Sequence, residues 1–520
     1  MAEKIISPGV FTNEIDQTFL PSAVADIGAA LIGPTLKGPA GIPTVVTSFS
    51  EFQAKFGDVT KNGANGESVQ FLTSHAAEEY LKNSNTLTVV RILDGDFGPA
   101  TATIITGSGA VDPGSATSGT SFVLETLADG AIMNNSGSGV ASGSNETLLS
   151  GSKHNIRYEV SSVNNSKGTF TLLIRAGNDT IKRKQVLETF TNINLDPNSN
   201  NFITKQIGDQ RLNVRTDENS NPYLELSGSY PNKSRFVRVK SVDSLTTDYL
   251  DENGNVRIDA SSGSLPAVGS GSDQGAFQGG SNGTTGFDAL GNHVVGVAAT
   301  SSTVNFYDSI NSTNSQGFAL SSGTDGTDAY TQALNILKNQ DEFDINLILL
   351  PGIIDSLHTS ITSKAIDVCE DRGDCFTILD PVEYGKNVAN ATTQAEAKDS
   401  NFAAMYWPWV KVPDSQVAGT QRWVPPSVVL GGIYAFNDRV AHPWFAPAGL
   451  NRGGITTAIQ AERKLTQGNR DDLYDSNVNP IATFPGQGVT VFGQKTLQKK
   501  SSALDRINVR RLLIRVKKFV

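Results

Sequence analysis

Few residues in this 520-residue chain have the types and spacing that chemistry requires. Cys369 and Cys375 are its only cysteines, and their proximity is open to two readings: a redox pair, or two small buried residues. Asp371, Asp374 and Asp380 would suit a carboxylate site, since strand carboxyl ends often carry ligands in α/β sheets. Asp371 and Asp374 also flank Gly373, where aspartate is an ordinary turn former. Trp407, Trp409, Trp423 and Trp444 offer faces for stacking a sugar or a base, or else for a core or a subunit interface. The histidines (His75, His154, His293, His358 and His442) are scattered, and two thiols with no neighbouring imidazole do not make a zinc site. Lys37 lies among glycines in GPTLKGPAG (33–41), but the two prolines each remove a backbone donor that a phosphate cradle needs. No HExxH, GxSxG or CxxC occurs, and the Gly-rich stretches lack the flanking strand and helix of a dinucleotide fingerprint. No catalytic, cofactor-binding or metal-ligating residue is assigned, and no enzyme activity or cofactor is expected.

Charge points elsewhere. The chain carries a net −10, which repels phosphate and argues against nucleic-acid binding. Residues 495–520 depart from this, with nine lysines and arginines against Asp505 alone. That is a net +8, leaving −18 for the remainder. On a helix, Ile507, Leu513 and Ile514 fall roughly on one side while Arg510, Arg511 and Arg515 spread elsewhere. Such a face is either solvated or a dock for an acidic protein partner.

The elements that must position these residues divide by texture. Residues 1–20 read as an extended arm: Pro8-Gly9 breaks any helix and VFTNEI is β-prone, so the segment is either a loose tail or a strand lent to another chain. Residues 22–95 read as α/β. Strands are expected at 25–34, 44–49 and 86–93, with a short helix capped by Ser50 and ended at Gly57, and a longer one over 68–83. From 96 to 327, Gly/Ser/Thr-rich loops separate strand-like runs at 155–163, 168–177, 223–228 and 235–242. This is one or two inserted β-rich domains, because α/β texture then resumes. Helix 328–339, strand 343–352, helix 356–372 and strand 375–382 make a strand–helix–strand unit. A β-like aromatic stretch (402–412), a helix opened by Pro425-Pro426 (427–439), a strand (488–497) and a basic helix (503–520) follow. The expected fold class is thus a multidomain chain: an α/β core domain, with a mixed sheet and flanking helices, from 21–95 and 328–520. Inserted β-rich outer domains span 96–327, with a possible division near 245–290. No apolar run reaches the roughly 20 residues that span a bilayer, and MAEKIISPGVF has no signal-peptide apolar region, so a soluble protein made in a reducing cytoplasm is expected.

Several strings, in order, carry a resemblance. They are SPGVF (7–11) with Glu14, AALIGP (29–34) with Gly38-Pro39 and Phe56-Gly57, the run 170–209, NLILLPG (346–352), WVPPSVVLGGIYAFND (423–438), APAG (446–449), GVTVFGQKTL (488–497) and INVRRLL (507–513). Together they resemble the tail sheath proteins of contractile-tailed phages. Two features depart from that pattern: the string after Tyr434-Ala435 reads Phe436-Asn437-Asp438, and the sequence stops at Val520, where sheath proteins usually continue. An early stop would put self-assembly of this polypeptide in doubt. The resemblance implies a structural subunit that forms stacked six-fold rings around a tail tube. It shortens by rigid-body rearrangement to drive the tube through the host envelope. The implied partners are further copies of itself, the tube protein, and baseplate and terminator proteins, with no nucleic acid and no membrane insertion. The implied location is the virion tail, assembled in the bacterial cytoplasm. It also implies that the arm, through Ile5, Ile6, Val10, Phe11, Glu14 and Ile15, adds a strand to a neighbour's sheet. The basic helix, through Arg506, Arg510, Arg511 and Arg515, would face the tube. A sheath from a related injection device (bacteriocin or secretion type) has the same physics, and a β-rich surface or glycan-binding protein is the more distant alternative.

Overall fold

The computed structural model describes residues 28–61, 68–107, 119–137, 145–218, 221–257, 265–271, 273–283, 310–320, 325–415, 419 and 421–518. The expected arm, with Ile5, Ile6, Val10, Phe11, Glu14 and Ile15, lies outside the described residues.

The first segment supplies β1 (Gly28–Gly33), β2 (Thr44–Val46), α1 (Phe49–Phe56), α2 (Leu72–Leu81) and β3 (Leu87–Arg91). Strand β1 is buried at every position and alternates between two cores: Ala29 and Leu31 face one, Ala30 and Ile32 the other. A continuous apolar run is what a strand covered on both faces needs. Ser48, not Ser50, caps α1, accepting from the Glu51 N–H at 3.2 Å; Gly57 ends it at φ 72°. Helix α2 starts at Leu72, four residues later than the periodicity predicts, because Ser68–Val69 pairs with Thr60–Lys61 as a strand.

Next come β4 (Phe97–Ile105), β5 (Thr120–Asp129), β6 (Ile156–Asn164), β7 (Thr169–Ala176), β8 (Val186–Ile193), α3 (Ile203–Ile207), β9 (Arg211–Thr216), β10 (Pro222–Ser227) and β11 (Val237–Val242). All pairings among these strands are antiparallel: β11-β5-β4 in one sheet, β8-β7-β6 in a second, and β9-β10 as a hairpin. Phe122 of β5 stacks on Phe170 of β7 at 5.6 Å, so the two larger sheets share one hydrophobic core.

The chain then returns with α4 (Asp325–Ile336), β12 (Ile345–Ile354), α5 (Thr359–Arg372), β13 (Phe376–Asp380), α6 (Val388–Glu396), β14 (Ala403–Trp407), β15 (Val410–Pro413), β16 (Gln421–Val424), α7 (Pro426–Val440), α8 (Gln467–Asp475), β17 (Val478–Phe484), β18 (Gly488–Val491) and α9 (Ile507–Lys517). The aromatic stretch 402–412 divides into β14 and β15 at Pro408, which lacks the N–H a continuous strand would donate. The strand expected over 488–497 ends at Val491, and the helix expected from 503 opens with a separate turn at Ala503–Asp505.

An eight-stranded mixed sheet runs β2-β3-β1-β12-β13-β14-β17-β18, parallel except for β2 and β18 at the two edges. Helices α1, α2, α7 and α9 cover one face; α4, α5, α6 and α8 cover the other. Strands β1 and β12, far apart in sequence, are adjacent, so both α/β segments build one sheet.

Candidate functional site

In doubly wound sheets the ligand crevice opens where neighbouring strands lead off in opposite directions. Here that point lies between β1, which leads to β3, and β12, which leads to β13. Protein fills it. The Gln316 amide donates to Pro351 O at 3.0 Å and accepts from the Leu72 N–H at 2.9 Å, and Ser315 Oγ donates to Gly352 O at 2.6 Å. A Cβ on Gly33 would stand 2.3 Å from Thr73 Oγ1, so the N-terminus of α2 closes the other wall.

The side chains singled out for chemistry do not converge. Asp380, at the end of β13, accepts from the Ser427 N–H at 2.9 Å and from Ser427 Oγ at 2.5 Å, which anchors the first turn of α7. Burial pushes its carboxyl up to about 7 against those two bonds. Asp371 is exposed and pairs with Lys338 at 2.7 Å; Asp374 pairs with the buried Arg372 at 2.8 Å. Among the described residues no group of three or more His, Cys, Asp or Glu is placed to hold a metal ion. Cys369 and Cys375 are fully buried thiols 3.3 Å apart, and burial holds Cys369 well above the ordinary thiol range. Trp407 and Trp409 are core residues, the Trp409 indole donating to Val382 O at 2.9 Å. Trp423 is half-buried beside Tyr384, and Trp444 stacks on His442 at 4.4 Å.

The basic helix is where structure and sequence part. Arg510 and Arg511, expected on a tube-facing surface, point inward with Ile507 and Ile514. The Arg510 guanidinium lies 4.0 Å from the Phe402 ring and donates to Asn401. Arg511 lies 4.8 Å from the Tyr434 ring and donates to Asp438 at 2.6 Å and Pro443 O at 3.3 Å. Burial works against the Arg511 charge, but Asp438 outweighs it and raises its pKa. A planar, weakly hydrated guanidinium tolerates this setting where an ammonium would not. Arg506 is half-buried against Tyr474, and Arg515 is half-buried beside Asn346 and Pro443. The outward positions include Leu512, Leu513 and Val516, so Leu513 does not share a side with Ile507 and Ile514. Lys517 and Lys518 tie the end of the helix to Arg372 O, Asp344 and Ile345 O. Helical spacing identified the helix but not which side faces in, because a guanidinium that stacks on an aromatic ring and finds a polar partner can be buried.

The third of the chain that runs from α4 to the end of β18 matches a known family. Residues 323–497 match the family model of the phage tail sheath protein central domain. This segment is similar to phage tail sheath proteins. The tail sheath protein of Vibrio phage KVP40 is 30% identical over 235 residues, 40% of this chain and 35% of that protein. The tail sheath protein of Enterobacteria phage T4 is 27% identical over 208 residues, 35% of this chain and 30% of that protein. The chain thus spans about a third of the length of the curated relatives it matches. Among solved structures, the sheath tail protein of Listeria innocua is 13% identical, with 95% of this chain and 75% of that one covered at a TM-score of 0.47. The sheath match takes in α4 to β18 and ends before α9.

Proposed function

We propose that this chain is a structural subunit of a contractile tail sheath. It polymerises as stacked six-fold rings around a tail tube, and it shortens by rigid-body rearrangement of subunits to drive the tube through the host envelope. The observation that carries this reading is the sheath-family match of residues 323–497, supported by two phage relatives named as tail sheath proteins. The filled crevice at the strand switch point supports a structural role over a catalytic one. In this reading the eight-stranded sheet is the inner core domain and the antiparallel sheets between β3 and α4 are an outer insertion. Residues 1–20 lend a strand to a neighbour. The partners are other copies, the tube, and the baseplate and terminator proteins, in a virion tail assembled in the bacterial cytoplasm. Any tube contact of α9 falls to Arg506 and Arg515, since Arg510 and Arg511 are spent inside the subunit.

The test is negative-stain microscopy with sedimentation of the purified chain, alone and with tube protein. Rings or tubular polymers are expected, lost on deletion of residues 1–20 without loss of fold. A chain that stays monomeric at every concentration with its tube, or normal tubes from the deletion, contradicts the assembly reading or the arm respectively.

A further inference from the structure

A cleft of about 1200 Å³ lies between the β2–β3–β1 side of the sheet and the inserted strands, roofed by the β9–β10 hairpin. Eight lysines and arginines line it against three carboxylates, on a chain that is acidic overall. Some are neutralised nearby: Lys55 by Glu51 at 2.8 Å and Arg238 by Glu125 at 2.6 Å. Lys37 and Lys153 make no salt bridge among the described residues, and Arg235, whose side chain is 84% exposed, is only 3.9 Å from Glu188. Burial first, and Lys153 second, push the Lys37 ammonium down to about 8.

The complementary surface is on the same molecule, on the far side of the sheet. Helices α6 and α8 pack together under β14 and β17, and Ser476 just after α8 donates to Glu396 at 3.0 Å. Thr466 and Asn469 form a capping box that fixes the start of α8. Asp471, Asp472, Asp475 and Glu396 are exposed and make no salt bridge among the described residues. Four strand spacings of about 4.8 Å separate β1 from β17, so the two surfaces of one subunit cannot meet.

We infer that the Lys37–Lys153–Arg235 cleft of one subunit receives the acidic α6–α8 face of a second copy. The contact is heterologous, one side of the sheet against the other, and such a contact builds rings or helices instead of closed pairs. Screening over about 8 Å at physiological salt makes it salt-sensitive and exchangeable.

This inference rests on the self-assembly reading above, and a charge swap separates the two. The cleft variant is Lys153→Glu with Arg235→Glu; the helix variant is Asp471→Lys with Asp472→Lys. All four side chains are exposed, so both variants are expected to fold, with circular dichroism as the check. By sedimentation velocity each variant alone is expected to self-associate about tenfold or more weakly than the unaltered chain. An equimolar mixture restores association, because every contact is then opposite in sign. Lys37→Gln weakens association without reversing charge. If the unaltered chain assembles and the variants assemble equally well, or the mixture fails to recover, this contact is wrong while the sheath reading stands. An unaltered chain that remains monomeric at every concentration overturns both.

Discussion

Asp380 shows how a residue that looks chemical in a sequence can be structural in the fold. A carboxylate at the end of a parallel strand is where α/β enzymes keep ligands, yet here both oxygens are spent on Ser427 at the start of α7. Its burial has a measurable consequence. The folded pKa, pushed up to about 7, lies above the ordinary aspartate value, so the folded state favours the protonated acid. That contribution is fully present below about pH 4 and is lost as pH rises toward 7. Asp380→Asn keeps the shape and removes the titration. Relative to the unaltered chain it is expected to be more stable at pH 8 than at pH 5 by more than about 1 kcal/mol, read from urea unfolding at the two values. An identical difference at both would contradict the assignment. Nothing in the sequence distinguished this role, because the partner, Ser427, is 47 residues away.

At the scale of elements, the pairing of α2 with α7 depends on two glycines inside a helix. A Cβ on Gly431 would stand 2.6 Å from Leu349 Cδ1, and one on Gly432 would stand 2.7 Å from the Glu79 carbonyl oxygen. The first neighbour is a side-chain tip that turns aside; the second is backbone that must move with all of α2. Alanine gains about 1 kcal/mol of helix propensity over glycine, while overpacking costs about 1–3 kcal/mol. Gly432→Ala is therefore expected to lower stability by about 1 kcal/mol, and Gly431→Ala by less; thermal unfolding of the two variants gives the order. Strands β1, β3 and β12 and helices α2, α5 and α7 were legible because their burial follows local periodicity. What was not legible depends on remote chain: Gly431 answers to Leu349 of β12 and Gly432 to α2, the inward guanidiniums of α9 to Phe402 and Tyr434, and the filled crevice to Gln316.

At the scale of the molecule, the rigid-body motion proposed for this chain would need a stiff joint between its sheet and its insertion. Arg91, at the end of β3, is that joint. Its guanidinium is fully buried and donates to Thr35 O at 3.2 Å, Gly38 O at 2.6 Å and Asp129 O at 2.8 Å, while the Asp129 carboxylate accepts from the Ala40 N–H at 2.9 Å. Thr35, Gly38 and Ala40 follow β1, whereas Asp129 ends β5, so one side chain stitches the sheet to the insertion. Burial brings the Arg91 pKa down to about 10 against the pull of Asp129, so it stays charged at neutral pH. Leu36 reinforces the seam by packing into the core of the insertion. Arg91→Met keeps apolar volume but takes their guanidinium donor from the Thr35 and Asp129 carbonyls, while Gly38 O keeps the Asp129 N–H and the Asp129 carboxylate keeps the Ala40 N–H. Each orphaned group costs about 1–3 kcal/mol where water cannot reach it, so a loss of about 2–4 kcal/mol is expected. The loss falls on the joint, and scanning calorimetry of the variant should therefore resolve two transitions where the unaltered chain shows stronger coupling. Limited proteolysis should cut between β3 and β4 first. A single transition at an unchanged midpoint would mean that the stiffness comes from the surrounding apolar contacts and not from this guanidinium.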